Sequence, residues 1–182
     1  PKTNRYFNSL VNQLMKFYDV EYIEPIEVYG NCYNGNMNLY NAMSFIPHVD
    51  TFPGDDQNEN PLNDYAFNLN LTKSDKVKTG FYSFNNKRSI CDFTDEDYDD
   101  IEMVWDKQIP MKVKQWKESG EKYYENFKLE YIANLDYNSM ILYPSHYFHM
   151  QYLKEDWFIN TDRITFTGFF EIIEKTKKLG FK

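Results

Sequence analysis

The residues able to do chemistry are few in this chain and unevenly grouped. His48 and Asp50 stand in "FIPHVDTF", separated by Val49 alone. Side chains two apart in an extended chain point to the same face. An imidazole and a carboxylate so placed can grip one divalent cation, or simply hydrogen-bond each other. The other histidines, His146 and His149, lie in "LYPSHYFHMQYL". If that run is a strand, Tyr143, Ser145, Tyr147 and His149 share a face and His146 takes the other. One distal histidine can then join His48 and Asp50.

Two histidines and one carboxylate on one side of a metal leave the opposite positions open, as in non-haem Fe(II) oxygenases. Ligation by His48, His146 and His149 instead would give three imidazoles and a zinc or manganese enzyme of cupin type. Further on, in "DRITFTGFF", Arg163 and Thr165 alternate inward while Ile164 and Phe166 face the other way. A guanidinium inside a barrel needs an anionic partner. A dicarboxylate supplies one, and Thr165 adds a hydrogen bond.

The order His-x-Asp, distant His, then Arg-x-Thr is similar to that of the Fe(II)- and 2-oxoglutarate-dependent dioxygenases of prolyl-hydroxylase type. "LYPSHYFH" looks like that family's hydrophobic-Pro-Ser run ending in the distal histidine, and "KTGFYSF" resembles its strand after a Gly-rich turn. The resemblance covers roughly residues 40–175, and the chain is also similar to a dioxygenase-like branch common in phages and marine bacteria. The resemblance implies that His48, Asp50 and His149 are the metal-binding and catalytic residues, with Fe(II) as the metal. It implies that Arg163 and Thr165 hold the far carboxylate of 2-oxoglutarate, and that Tyr143 or Tyr82 lends it a hydroxyl. It also implies hydroxylation of a C–H bond in a peptide, amino acid or small molecule. Two intervals depart from the family. His149 follows His48 by 101 residues, which leaves room for an insertion over about 86–125. Arg163 follows His149 by 14, which makes "KEDWFINTD" an inserted loop.

The elements that must position these residues read as follows. Apolar residues at helical spacing predict a helix over about 4–18. "EYIEPIEVYG" is extended, "NCYNGN" a turn, and "NLYNAMSFIPHV" a strand leading into the His–Asp pair. The polar, proline-marked stretch from Thr51 to Asn63 is a long loop at the barrel mouth, mobile without substrate. "YAFNLNLT" puts Tyr65, Phe67, Leu69 and Leu71 on one face and pairs with "KVKTGFYSF" as a hairpin. Thr94 and its acidic followers open a helix, and an irregular stretch runs to about 125. "FKLEYIANL", "SMILYPS" with "HYFHMQYL", and "RITFTGFFEII" are strands, and the basic tail is exposed. About eight short strands in one domain, residues 1–182, predict a mainly β double-stranded β-helix of jelly-roll or cupin type, with an N-terminal helix and a helical insertion.

Composition narrows the partners. A net charge of −8 repels phosphate backbones, so no nucleic acid is expected. The two cysteines, Cys32 and Cys91, do not make a disulfide framework and point to a reducing cytoplasm, which the resemblance implies is that of a bacterial or phage-infected cell. No apolar run reaches membrane-spanning length, and the start lacks a signal-peptide core. The chain begins at Pro1 without Met, which suggests that the first residues have been removed. A non-catalytic jelly-roll module that binds a partner or glycan, such as a virion component, is the rival from outside enzymology. The acidic run "DEDYDD" reads as a solvated helix start, because an EF-hand's Gly and spacing are absent.

Overall fold

A computed structural model describes residues 22–33, 46–52, 64–105, 126–154 and 157–173, together with the helical positions Ser9, Asn12, Gln13, Met15 and Lys16. The rest of the helix expected over 4–18, most of the strand expected before His48, residues 53–63, the stretch 106–125 and the basic tail lie outside the described residues.

The strands are β1 (Tyr22–Tyr33), β2 (Asp64–Asn70), β3 (Lys78–Phe84), β4 (Phe127–Asn134), β5 (Met140–Pro144), β6 (His149–Gln151) and β7 (Arg163–Ile173), with helix α1 (Asp95–Trp105) after β3. They form two antiparallel sheets, ordered β1-β7-β2-β5 and β4-β3-β6. The protein is thus mainly β, with the two-sheet arrangement of a jelly roll. Among the described residues no helix is long and apolar enough to cross a membrane.

Alternation decides what each sheet buries. On β3, Gly80, Tyr82 and Phe84 share a face, and Phe84 packs with Ile90, Ile101 of α1, Phe127 and Phe148 in the larger core. Phe84 and Phe148 are fully buried, each worth about 1.5–3 kcal/mol in transfer terms. A smaller cluster lies on the outer face of the other sheet, where Tyr65, Phe67 and Leu69 meet Phe170, Leu142 and Met15. Gly168 leaves the space for this, since a Cβ there would stand 2.3 Å from the Phe67 ring.

Three local expectations are corrected. β2 and β3 are not a hairpin: they belong to different sheets. The buried Asn70 side chain holds the crossing, donating to Leu135 O at 2.8 Å and Thr72 O at 3.0 Å and accepting from Thr72 N at 2.7 Å. The strand therefore ends before Leu71, which leaves the apolar row it was expected to join. Asn31, Cys32 and Tyr33 are not a turn but continue β1, because β7 offers them Thr165, Ile164 and Arg163 as partners. Pairing with a long neighbour here outweighs the turn preference of Asn. The segment through Ser145 and His146 is not continuous strand: it turns there, and Tyr147 bridges to Ser89 before β6 begins.

Candidate metal centre and its cavity

The segment that carries His48 and Asp50 is stitched to the one that carries His149. His48 N donates to His149 O at 3.0 Å, and His149 N returns a bond to His48 O at 2.9 Å. Asp50 N donates to Ser145 O at 2.8 Å, and Thr51 Oγ1 to Ser145 Oγ at 2.8 Å. Thr51, the first residue of the expected loop, is therefore buried and held. Phe148 anchors in the larger core, so alternation turns its neighbour His149 toward the space between the sheets.

One ligand-capable atom from each of His48, Asp50 and His149 lies within 4.8 Å of the other two. His149 Nε2 stands 3.2 Å from Asp50 Oδ2. Two donors on one ion sit roughly 3–4 Å apart, so a small side-chain rotation closes the three on one cation. The tautomers suit this. His48 Nδ1 donates to Ile46 O at 2.9 Å, and His149 Nδ1 to Tyr147 O at 2.9 Å. When neutral, each ring then carries its lone pair on Nε2, the arrangement in which a backbone carbonyl orients a metal-binding imidazole. Burial alone would raise the Asp50 pKa, but the charge and hydrogen bond of His149 and the charge of His48 hold it below its usual value. Burial likewise pulls His149 down, and Asp50 more than reverses this, so its pKa is raised.

A cavity of about 250 Å³ runs from these residues between the sheets. Arg163 lies on its wall, only 4% exposed. Nη1 donates to Gln151 Oε1 at 3.3 Å and, weakly, to Thr165 Oγ1 at 3.5 Å. Nε and Nη2 are buried and take no partner. That edge of the guanidinium is the fork that binds a carboxylate through two parallel bonds. Burial pulls Arg163 down to about 10, partly offset by Tyr143 and Tyr33, and it stays charged at neutral pH. Thr165 lines the cavity beside it.

Tyr143 lines the same cavity, its ring 4.6 Å from that of His149. Burial first, then the Asp50 charge, raise its pKa well above normal against the pull of Arg163, so its hydroxyl remains a donor. Tyr82 does not share this place. It lies in the larger core over Gly80, on the face of β3 opposite Thr79 and Phe81. Its hydroxyl is not on the cavity wall, which removes it from the residues the resemblance implied. His146 is also elsewhere: it points into the corner before α1, where its Nδ1 pairs with Ser89 Oγ at 2.7 Å. Sequence reasoning missed the polar wall of Asn31, Asn68, Thr79, Gln151 and Thr167. The available signal was polar residues at alternate positions of apolar strands.

No protein-family model matches the chain, and no curated protein matches it. A solved structure, an N-substituted L-amino acid dioxygenase from Burkholderia ambifaria, aligns with a TM-score of 0.42 and 11% identity over 88% of this chain. The chain spans 62% of that protein's length.

Proposed function

We propose that the protein is an Fe(II)- and 2-oxoglutarate-dependent dioxygenase that hydroxylates a C–H bond of a small molecule, amino acid or peptide. The observation that carries this is one cavity holding both a His48–Asp50–His149 cluster and a buried guanidinium fork without a partner. Charge supports it as well. A dication with neutral imidazoles, the Asp50 carboxylate and the Arg163 guanidinium leaves the cavity doubly positive. A dicarboxylate cosubstrate neutralises that excess, where burial makes uncompensated charge costly.

Fe(II) and 2-oxoglutarate, with O2, would supply the oxidation. The chain's own part is geometric and electrostatic. His48, Asp50 and His149 hold the ion from one side and leave the other open. Arg163 fixes the far carboxylate, helped by the hydroxyls of Thr165 and Tyr143. Phe81, packed edge-on against Tyr143 at 5.3 Å and against His149 at 6.5 Å, keeps water from the histidine ring.

The test is an anaerobic titration of the metal-free protein with Fe(II) and then 2-oxoglutarate, watched for the weak visible charge-transfer band. Oxygen is then admitted and succinate measured. A protein that takes up neither metal nor 2-oxoglutarate would leave the non-catalytic binding module as the better reading. The three-imidazole reading is not carried forward, because His146 stands outside the cluster.

A further inference from the structure

Several cavity-wall polar atoms are buried and without a partner: Arg163 Nε and Nη2, Thr79 Oγ1 and Asn68 Oδ1. They divide by hydrogen-bonding sense. The guanidinium nitrogens are donors and the threonine hydroxyl can donate, which the oxygens of a dicarboxylate satisfy. Asp50 Oδ2 is an acceptor, but it stands 3.2 Å from His149 Nε2 and faces the cation position. Asn68 Oδ1 is an acceptor with no such cation. At neutral pH 2-oxoglutarate carries two carboxylates and a ketone, and therefore no donor at all. The proposed cosubstrate cannot satisfy Asn68 Oδ1.

Asn68 stands on the inward face of β2, opposite Thr167 of β7. Thr167 is already engaged, since Asn31 Nδ2 donates to its hydroxyl oxygen at 2.9 Å. Ile141, the β5 partner of Asn68, offers no side-chain donor. A buried amide oxygen left unpaired costs about 1–3 kcal/mol, and a strand position facing a cavity has no structural need for an amide. We infer that the Asn68 carboxamide is a specificity-determining group that accepts a hydrogen bond from an N–H of the substrate, which is therefore an amine or amide. This rests on the dioxygenase reading for the statement that the cosubstrate is not the donor. With the carboxamide reversed, the buried atom is the NH2, a donor suited to the cosubstrate. The two senses give opposite results.

The experiment has two arms. In the first, 15N-labelled protein loaded with redox-silent Zn(II), with and without 2-oxoglutarate, is titrated with N-methylacetamide and separately with N,N-dimethylacetamide. The two probes share a carbonyl and differ in the N–H. N-methylacetamide should move the Asn68 side-chain resonances saturably, and the dimethyl compound by about fivefold less at equal concentration, because it brings no donor. Equal shifts, or none from either probe, would overturn the inference. In the second arm Asn68→Leu removes both donor and acceptor, and calorimetry follows 2-oxoglutarate. Affinity should stay within about twofold, whereas a loss of about tenfold or more would assign Asn68 to the cosubstrate through its NH2. Asn68→Ala serves if the leucine variant fails to fold by circular dichroism. Wild-type protein that binds no 2-oxoglutarate would sink the dioxygenase reading, while the first arm without cosubstrate still decides the role of Asn68.

Discussion

His146 and His149 sit three residues apart, yet the fold gives them opposite chemistry. His149 donates from Nδ1 to the carbonyl two residues before it, as His48 does, so that the neutral ring has its lone pair on Nε2. His146 does not use the same device. The carbonyl two residues before it, Pro144 O, already accepts from Tyr147 N at 3.1 Å in the turn. Its Nδ1 instead pairs with Ser89 Oγ at 2.7 Å, and that oxygen also takes the Cys91 N–H at 3.0 Å. The environments also push the two rings apart in pKa. Burial lowers His146 against a small pull from Asp92, whereas Asp50 overcomes burial and raises His149. What each Nδ1 pairs with, a carbonyl or a hydroxyl, therefore separates the two histidines.

The strongest way to break this contrast is to delete a ligand from the cluster. His149→Ala or Asp50→Asn should weaken Zn(II) or Fe(II) binding by more than about a hundredfold in calorimetry, beyond the range seen when only a supporting contact is lost. Retention of tight binding by either variant would dissolve the cluster as a metal centre. Next in size is Arg163→Lys, which keeps the charge and loses the fork. It should weaken 2-oxoglutarate by about 1.5–3 kcal/mol and leave metal affinity unchanged. Unaltered cosubstrate affinity would place the carboxylate elsewhere.

His146→Ala probes the other side of the comparison. It strips the Ser89 hydroxyl of its imidazole partner, so urea unfolding should show a loss of about 1–3 kcal/mol. Metal affinity should stay within about twofold, since a supporting contact to the metal would show at least about tenfold. A collapse of metal binding would return His146 to the ligand set. The smallest effect is in pH dependence. The lowered pKa of His146 means that the unfolded chain takes up its proton first as pH falls. This residue's contribution is therefore intact above the usual histidine range and lost as pH drops through that range toward the folded value. Stability measured at pH 7.5 and about 5.5 should fall less in His146→Gln than in the unsubstituted protein, and an equal fall would remove His146 as the cause.

Spacing made His48 and Asp50 legible, because a one-residue interval in extended chain has only one geometric meaning. Arg163 and Thr165 were legible for the same reason: Ile164 and Phe166, which separate and follow them, are 43% and 39% exposed. The partition of strands between sheets was not, because the crossing after β2 depends on one satisfied carboxamide, Asn70, whose partner Leu135 is far along the chain. Asn68 was missed because alternation tells that two faces differ, not which one looks inward. In β2 the polar row faces the cavity, and Tyr65, Phe67 and Leu69 pack outside the sheet. Tyr82 was misplaced through the same ambiguity on β3.

The paired main-chain bonds between His48 and His149 have a kinetic consequence. The two imidazoles are cross-strand partners, so the ladder spacing sets their separation before any ion arrives. Asp50 is tied to the same strip through Ser145. Lifting residues 46–50 off their partner strip removes an imidazole and the carboxylate in a single event. Escape of a bound ion would then follow the local opening of that strip rather than the stepwise breaking of separate coordination bonds.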